Sequence, residues 1–205
     1  MEDTWKDSGF IPSGWTIEVA GPAGSKGKAT ATIGGEDVDV KWVQLWADGP
    51  KFAEFNVGVT DGKAESFGGY YAWGGNQDKV DDHNEGTVEL TGDNDTATKL
   101  WGSKWRMPTK KELKALATST NCTGEWTTVG GVNGIKFTGL GDYSSNSIFL
   151  PVADATGDYW SSTPYPSDSD NAVQLHLVLG GIPNPMSDIA GAFRNNGFSV
   201  RAVLK

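Results

Sequence analysis

The chain contains 28 glycines and 9 tryptophans among 205 residues, and this combination restricts the folds that it can adopt. Glycine is favoured at turns and tight backbone positions, whereas each tryptophan brings a large apolar surface to a core. From Val40 onward, short apolar runs are separated by glycines, as in residues 68–75, GGYYAWGG. We therefore predict a loop-rich fold held together by buried aromatic side chains, including most of Trp42, Trp46, Trp73, Trp101, Trp105, Trp126 and Trp160.

Helical patterns occur at two places near the middle of the chain. Residues 95–102, DTATKLWG, begin with polar side chains, become apolar and end at a glycine, as a short helix does. Thr109 and Glu112 then form a capping-box pattern, which marks the start of a second helix. The segment that follows places three apolar side chains on one helix face: Leu113, Leu116 and Ala117.

Strand-like segments surround this helical region. Residues 125–129, EWTTV, and 134–140, GIKFTGL, have strand character, and Asn133–Gly134 at their junction predicts a hairpin turn. The order of strands, two helices and further strands predicts an α+β fold with irregular antiparallel sheets and many loops.

The last part of the chain is predicted to be β-structure. In residues 172–180, AVQLHLVLG, one strand face is apolar, and the other carries Gln174, His176 and Val178 toward solvent. Arg201 follows in GFSVRAV, where we predict a structural cation whose guanidinium holds loop carbonyls or a carboxylate.

The chain is predicted to have a small β appendage, residues 1–39, ahead of a main domain, residues 40–205. The segments WTIEVAG (15–21) and KATATIG (28–34) alternate apolar and polar residues, and the intervening glycines predict a hairpin connection. A polar insert with several acidic residues and His83 interrupts the main domain at residues 76–96. We interpret it as a solvated loop, since its spacing does not match an EF-hand.

Charge and cysteine content exclude several classes of function. The net charge is −9 and only Lys110–Lys111 form a basic pair, so a nucleic-acid partner is not expected. The single Cys122 excludes an internal disulfide and a zinc site built from several thiolates. No apolar run is long enough to span a membrane. The first residues, MEDTWKD, lack the basic start of a signal peptide, so we expect either another export route or a removed leader.

The composition changes toward the C-terminus, where residues 137–204 contain no lysine and no glutamate. Within residues 164–196, every residue type except Gln174 and Met186 can be reached by changing the first two bases of an AAC asparagine codon. This argument from the genetic code marks residues 164–196 as a distinct segment.

Seven segments of the chain recur, in the same order, in one known family: VKWVQLWADGPKFAEFNVGV (40–59), GGYYAWGG (68–75), ATKLWGSKWRMPTKKELKAL (97–116), GVNGIKFTG (131–139), NSIFLPVA (146–153), GDYWSSTPY (157–165) and RNNGFSVRAV (194–203). Over about residues 40–205, the chain resembles the Fibrobacter succinogenes major paralogous domain family of gut Bacteroidetes and their phages. The resemblance implies a C-type lectin fold. It also implies similarity to variable proteins diversified by retroelements, whose reverse transcriptase mutates adenines in a C-terminal segment.

The same resemblance implies two fixed segments, 159–163 and 197–201, with diversified residues between them. Gln174 and Met186 depart from a purely AAC-derived segment. His176 and Val178 are expected to form the floor of the variable surface, with Ile189 and Phe193 as apolar anchors if exposed. The candidate ligand contacts are Tyr165, Ser167, Asp168, Asp170, Asn171, Val173, Gln174, His176, Val178, Ile182, Asn184, Ser187, Asp188, Ile189, Phe193, Asn195 and Asn196.

These observations favour a non-enzymatic binding protein of the receptor or adhesin type. We expect its partner to be a protein or glycan on another cell's surface and its location to be extracellular, on a bacterial surface or a phage virion. No cofactor is expected, and no sequence pattern specifies a structural calcium. The fold does not encode the target, since such surfaces are selected individually.

Two other functions were weighed against this one. Formylglycine-generating enzymes share the fold class, but their chemistry uses paired cysteines, and Cys122 stands alone and is expected to be buried. A calcium-dependent carbohydrate-binding lectin is the alternative. Its usual Glu-Pro-Asn or Gln-Pro-Asp triplet is only echoed at residues 182–185, IPNP, and its later Trp-Asn-Asp is missing.

Overall fold

The computed structural model describes residues 20–76, 83–153, 155–178 and 187–205, without the side chains of residues 187 and 188. The described residues form eleven strands and two α-helices, and all pairings between these strands are antiparallel. The predicted α+β class is therefore confirmed. The helices are α1 (Thr96–Trp101) and α2 (Lys110–Leu116). The strands are β1 (Lys26–Ile33), β2 (Glu36–Gln44), β3 (Lys51–Ala53), β4 (Trp105–Arg106), β5 (Cys122–Val129), β6 (Val132–Gly139), β7 (Ser147–Pro151), β8 (Thr156–Pro164), β9 (Asn171–Val178), β10 (Ser187–Phe193) and β11 (Val203–Leu204).

A five-stranded sheet in the order β1–β2–β3–β11–β4 joins the first strand to the last. The sheet curls, and Trp105 of β4 donates an indole hydrogen bond to the Thr30 carbonyl of β1 over 2.9 Å. Ala31 of β1 and Val40 of β2 are both buried in the core inside this sheet. The first and last described strands thereby belong to one sheet.

The predicted boundary between residues 39 and 40 lies inside β2. Strands β1 and β2 form a hairpin around Gly34–Gly35, both with positive φ, and residues 26–39 belong to the same sheet as β3 and β11. The segment predicted as a strand at residues 15–21 lies almost wholly outside the described residues.

The second sheet, β5–β6–β7, contains the predicted hairpin but not the predicted turn. Val129 pairs with Val132 across Gly130–Gly131, whose φ angles are +56° and +86°. Two consecutive positive φ angles define the kind of tight turn that matches the twist of a hairpin, and glycine adopts them without strain. Asn133–Gly134 lies within β6, so the prediction of a turn there was wrong.

The third sheet has the order β10–β9–β8, which places β9 in its centre. On one face, Leu113 of α2 shares a core cluster with Leu175 and Leu177 of β9. On the other face, Ala172 packs with Trp160 in a second cluster. Both faces of β9 are therefore covered along much of its length.

Both predicted helices are confirmed, as are the predicted end of the first helix at Gly102 and the predicted capping box of the second. Asp95 accepts a hydrogen bond from the Thr98 amide at 2.9 Å, and α1 ends before Gly102. At α2 the capping box between Thr109 and Glu112 is formed in both directions.

The aromatic core is confirmed for five of the predicted tryptophans, since Trp42, Trp73, Trp101, Trp105 and Trp160 are buried. Trp46 and Trp126 are partly exposed. Within the described ranges, no helix has the length and apolar content that a membrane span requires.

Candidate ligand-binding surface

The connection between β8 and β9, residues 165–170, is an exposed turn closed by hydrogen bonds of its own residues. The Asp168 carboxylate accepts hydrogen bonds from the Asp170 amide at 2.9 Å and from Asn171 Nδ2 at 2.5 Å. The Tyr165 amide donates to the Asn171 carbonyl at 3.1 Å and closes the turn. Asp168 therefore stabilises the shape of the loop on which its neighbours are displayed.

The turn after β10 is bound to this connection through Arg194. The Arg194 amide donates to the Asp170 carbonyl at 3.0 Å, and its Nε donates to the Asn171 carbonyl at 3.1 Å. Arg194 is almost fully buried, with 2% of its surface exposed. The backbones of the two turns are thus held together by one buried side chain.

The Arg194 guanidinium also holds part of the polar insert. Its Nη1 donates to the carbonyls of Asn84 and Gly86 at 2.8 and 2.9 Å, and the group lies 4.4 Å from the ring centre of Trp73. Burial lowers the pKa of Arg194, and the nearby Glu85 carboxylate acts against this shift. The insert, which we predicted to be a solvated loop, therefore contributes backbone acceptors that position the third sheet.

Two aromatic side chains are exposed beside these turns, Tyr165 to 37% and Phe193 to 61%. A Cβ placed on Gly191 would lie 2.7 Å from the Tyr165 ring, so this ring rests directly on β10. Only glycine permits such close contact at this position. Ile189, two residues before Gly191, is half-buried and packs against the core.

These contacts bring eight of the candidate residues together at one end of the third sheet. Most of their side chains are exposed, and those of Asn171 and Asn196 are partly buried. We call this group the end patch; it consists of Tyr165, Ser167, Asp168, Asp170, Asn171, Phe193, Asn195 and Asn196.

Val173 and Gln174 do not belong to any surface, and their prediction as ligand contacts was wrong. Val173 is fully buried and Gln174 is 7% exposed. The prediction for Gln174 assumed a sheet with one solvated face, whereas the central strand β9 is covered on both faces. The Gln174 Oε1 atom is buried and has no hydrogen-bond partner in the described part of the chain.

His176 and Val178 are accessible but lie away from the end patch. They follow Asn171 on β9 by five and seven residues, which corresponds to roughly 17 and 23 Å along an extended strand. Strand alternation also turns them away from the face that Tyr165 covers. His176 Nδ1 instead lies 2.6 Å from Asp158 Oδ1 on β8. His176 and Val178 therefore do not lie beneath the end patch, and His176 pairs in register with Asp188, another candidate residue, on β10.

Four further candidates lie wholly or partly outside the described residues. Ile182 and Asn184 lie outside the described residues. The backbones of Ser187 and Asp188 belong to β10, where Asp188 pairs with His176 in register, but their side chains lie outside the described part.

Arg201 confirms the prediction of a structural cation. Its guanidinium donates to the carbonyls of Ala53, Glu54 and Phe149 and to the side chain of Asn56. Complete burial lowers the pKa of Arg201 to about 10. The group ties the C-terminal segment to β3 and β7 and lies far inside the fold.

Arg194 is the functional residue that the sequence reasoning missed. The available sign was a lone arginine in the apolar and small-residue segment 189–197, with no acidic neighbour in sequence. Its hydrogen-bond acceptors are backbone carbonyls from distant segments. Because every residue has a backbone carbonyl, a sequence pattern does not reveal which ones accept.

The chain was compared with protein-family models, with curated proteins and with solved structures. No match was found.

The described residues also show how the acidic groups are distributed. Among residues 20–76, 83–153, 155–178 and 189–205, no group of three or more His, Cys, Asp or Glu side chains is placed to hold a metal ion. The carboxylates of the end patch belong to a turn and to open surface, as the hydrogen bonds of Asp168 illustrate.

Proposed function

We propose that the chain is a non-enzymatic binding protein whose end patch contacts the ligand. The observation that carries this proposal is the pairing of exposed side chains with a fixed backbone. Tyr165 and Phe193 expose aromatic surface beside hydroxyl, carboxylate and amide groups, while the buried Arg194 holds both turns beneath them. Tyrosine and short polar side chains make adaptable contacts, and a fixed backbone reduces the entropy lost on binding.

We further propose that the scaffold is a C-type lectin fold and that a retroelement diversifies exposed positions within residues 164–196. The burial pattern supports a division into fixed and variable parts. Of the segment 159–163, the first four residues are buried, as are Ser199, Val200 and Arg201 of the second fixed segment. The intervening loop 165–170 is exposed, so its side chains can change without disturbing the core.

The state of the lone cysteine supports binding rather than catalysis. Burial raises the pKa of Cys122 to about 12, and its thiol donates to the Leu116 carbonyl. A thiol that stays protonated is a poor nucleophile. On this proposal the chain acts outside the cell, and its partner is a protein or glycan on another cell's surface.

The experiment is a binding assay with labelled chain on intact gut bacterial cells and on a glycan array, each with and without chelator. The test variant is Tyr165→Ala/Phe193→Ala, which removes both exposed aromatic side chains of the end patch. The control is Val38→Ala/Leu140→Ala, which trims two side chains outside the end patch that are 39% and 40% exposed. We expect the test variant to lose about tenfold or more in affinity and the control less than about twofold.

Equal binding by the test and control variants would contradict the proposal. Chelator-sensitive binding confined to glycans would favour the calcium-dependent lectin instead. Sequencing around the gene addresses the diversification separately, because a neighbouring reverse transcriptase and a template repeat are expected there.

A further inference from the structure

We propose that the partner of the end patch is a protein surface on which arginine and lysine side chains surround an apolar contact. This inference rests on the proposed function and narrows its ligand from a protein or glycan to a basic protein. It follows from the charges around the patch, from its exposed aromatic rings and from the way the local arginines are used.

The carboxylates around the patch are not neutralised by exposed cations. Asp170 is exposed, and its carboxylate has no hydrogen-bond or ion-pair partner within the described ranges. Asp168 and Glu85 lie close enough to act on Arg194 together with Asp170. Arg194 itself is buried and donates to backbone carbonyls, so it does not pair with these carboxylates. Asp168 accepts hydrogen bonds from its own turn, and Glu85 lies 2.7 Å from His83, so Asp170 is the carboxylate that faces solvent without a partner in the described ranges.

Cations are also scarce in the sequence around the patch. Residues 155–178 and 187–204 contain no lysine, and both of their arginines, Arg194 and Arg201, are buried. An acidic region of this kind attracts a basic partner during encounter and repels anionic polymers.

The aromatic rings give the same partner a second type of contact. Phe193, 61% exposed, is the last residue of β10, the strand on which the Tyr165 ring lies. A guanidinium can stack on an aromatic face while its donors pair with a carboxylate such as that of Asp170. Aromatic anchors within a polar rim are characteristic of protein–protein contacts.

A basic cluster bounds the acidic region on one side. Lys110, Lys111 and Lys114 line a cavity with Thr163, just before the β8–β9 turn. Glu89 of the polar insert lines the same cavity, so we expect the partner's basic residues to contact Asp170 rather than this cavity.

The experiment is a selection with a phage-displayed library of random 12-residue peptides on the immobilised full chain, followed by affinity measurements on synthesised peptides. The chain variants are Tyr165→Ala/Phe193→Ala, Asp170→Lys and the matched control Asp142→Lys, which alters an exposed aspartate elsewhere. A glycan array is run in parallel.

We expect the enriched peptides to carry more arginine and lysine than the starting library. Asp170→Lys should weaken them about tenfold at low salt and by less at high salt, and Asp142→Lys should have little effect. Enriched peptides that are neutral or acidic, or whose affinity is unchanged by Asp170→Lys, would contradict the proposal of a basic partner. So would an absence of enriched peptides, or binding confined to glycans.

The same variants separate this inference from the proposed function. If binding depends on Tyr165 and Phe193 but not on Asp170, the end patch is the binding surface and the proposal of a basic partner is wrong. Binding that is unchanged in all variants rejects both.

Discussion

At the scale of single residues, two buried arginines organise the C-terminal part of the chain. Both donate mainly to backbone carbonyls, which come from segments distant in sequence. Arg201 acts inside the core and Arg194 acts directly beneath the end patch. A guanidinium can do this because its planar donors reach several acceptors at once.

Replacing Arg194 by methionine should destabilise the protein and loosen the end patch. Three part-buried carbonyls, those of Asn84, Gly86 and Asn171, would lose their side-chain donor. We expect the free energy of unfolding in urea to fall by about 2–4 kcal/mol. Asn195→Ala, an exposed neighbour, is the control and should change it by less than about 0.5 kcal/mol. An equal effect of both variants would show that Arg194 does not hold the turns.

The buried thiol predicts a loss of stability in alkali. The pKa of Cys122 is about 12 in the folded state because of burial, against 9.0 for a free thiol. Above pH 9 the unfolded chain releases this proton while the folded chain keeps it, so the free energy of unfolding should fall as pH rises. Urea titrations from pH 8 to 11 should show a smaller decline for Cys122→Ala than for the native chain. Parallel curves for the two proteins would contradict the assignment.

At the scale of secondary-structure elements, helix caps were predictable and turns were not. The capping box of α2 is a local pattern in which Thr109 and Glu112 satisfy each other's backbone. Two dipeptides with glycine, Gly130–Gly131 and Asn133–Gly134, could each form the turn between β5 and β6, and the turn forms at Gly130–Gly131. The pairing of β6 with β7 keeps Asn133–Gly134 inside the strand, because Gly134 lies against Leu150 in the neighbouring strand.

Gly134→Ala should therefore be costly although it lies in a strand. An added Cβ would come within 2.4 Å of the Leu150 carbonyl oxygen and of the Phe149 ring. We expect a loss of about 1–3 kcal/mol in the free energy of unfolding, measured in urea. Asn133→Thr, at the adjacent exposed position, should cost less than about 0.5 kcal/mol. A neutral Gly134→Ala would contradict the observed packing of β6 on β7.

The start of α2 predicts a defined response to acid. Burial alone would raise the pKa of Glu112, but hydrogen bonds from Arg106 and Thr109 outweigh it, and the pKa lies below its usual 4.5. The stability that Glu112 contributes is thus complete above pH 4.5 and is lost as pH falls through its lower folded value. Glu112→Gln should be less stable at pH 7 and should show a weaker decline between pH 5 and 2. An unchanged decline would contradict this role.

At the scale of the whole molecule, the sequence predicted the fold class, both helices and the aromatic core because these depend on local patterns. It predicted the end patch in part. Tyr165 and Asp170 lie on an exposed turn and Phe193 is exposed at the end of β10. Val173 and Gln174 are buried because β9 is a central strand with two covered faces. Which strand is central is set by long-range pairing, and no single segment of the chain contains that information.

The central claim is that the end patch can change its side chains while the buried residues beneath it keep the backbone in place. The most direct test is a library in which exposed positions 165, 167, 170, 193 and 195 are randomised in the full chain, with a second library randomised at buried positions 160, 173, 194 and 201. Thermal unfolding of unselected members, followed by circular dichroism, is the measurement. We expect most members of the first library to unfold within about 5 °C of the native chain and most members of the second not to fold. Widespread loss of folding in the first library, or tolerance of substitution in the second, would contradict it.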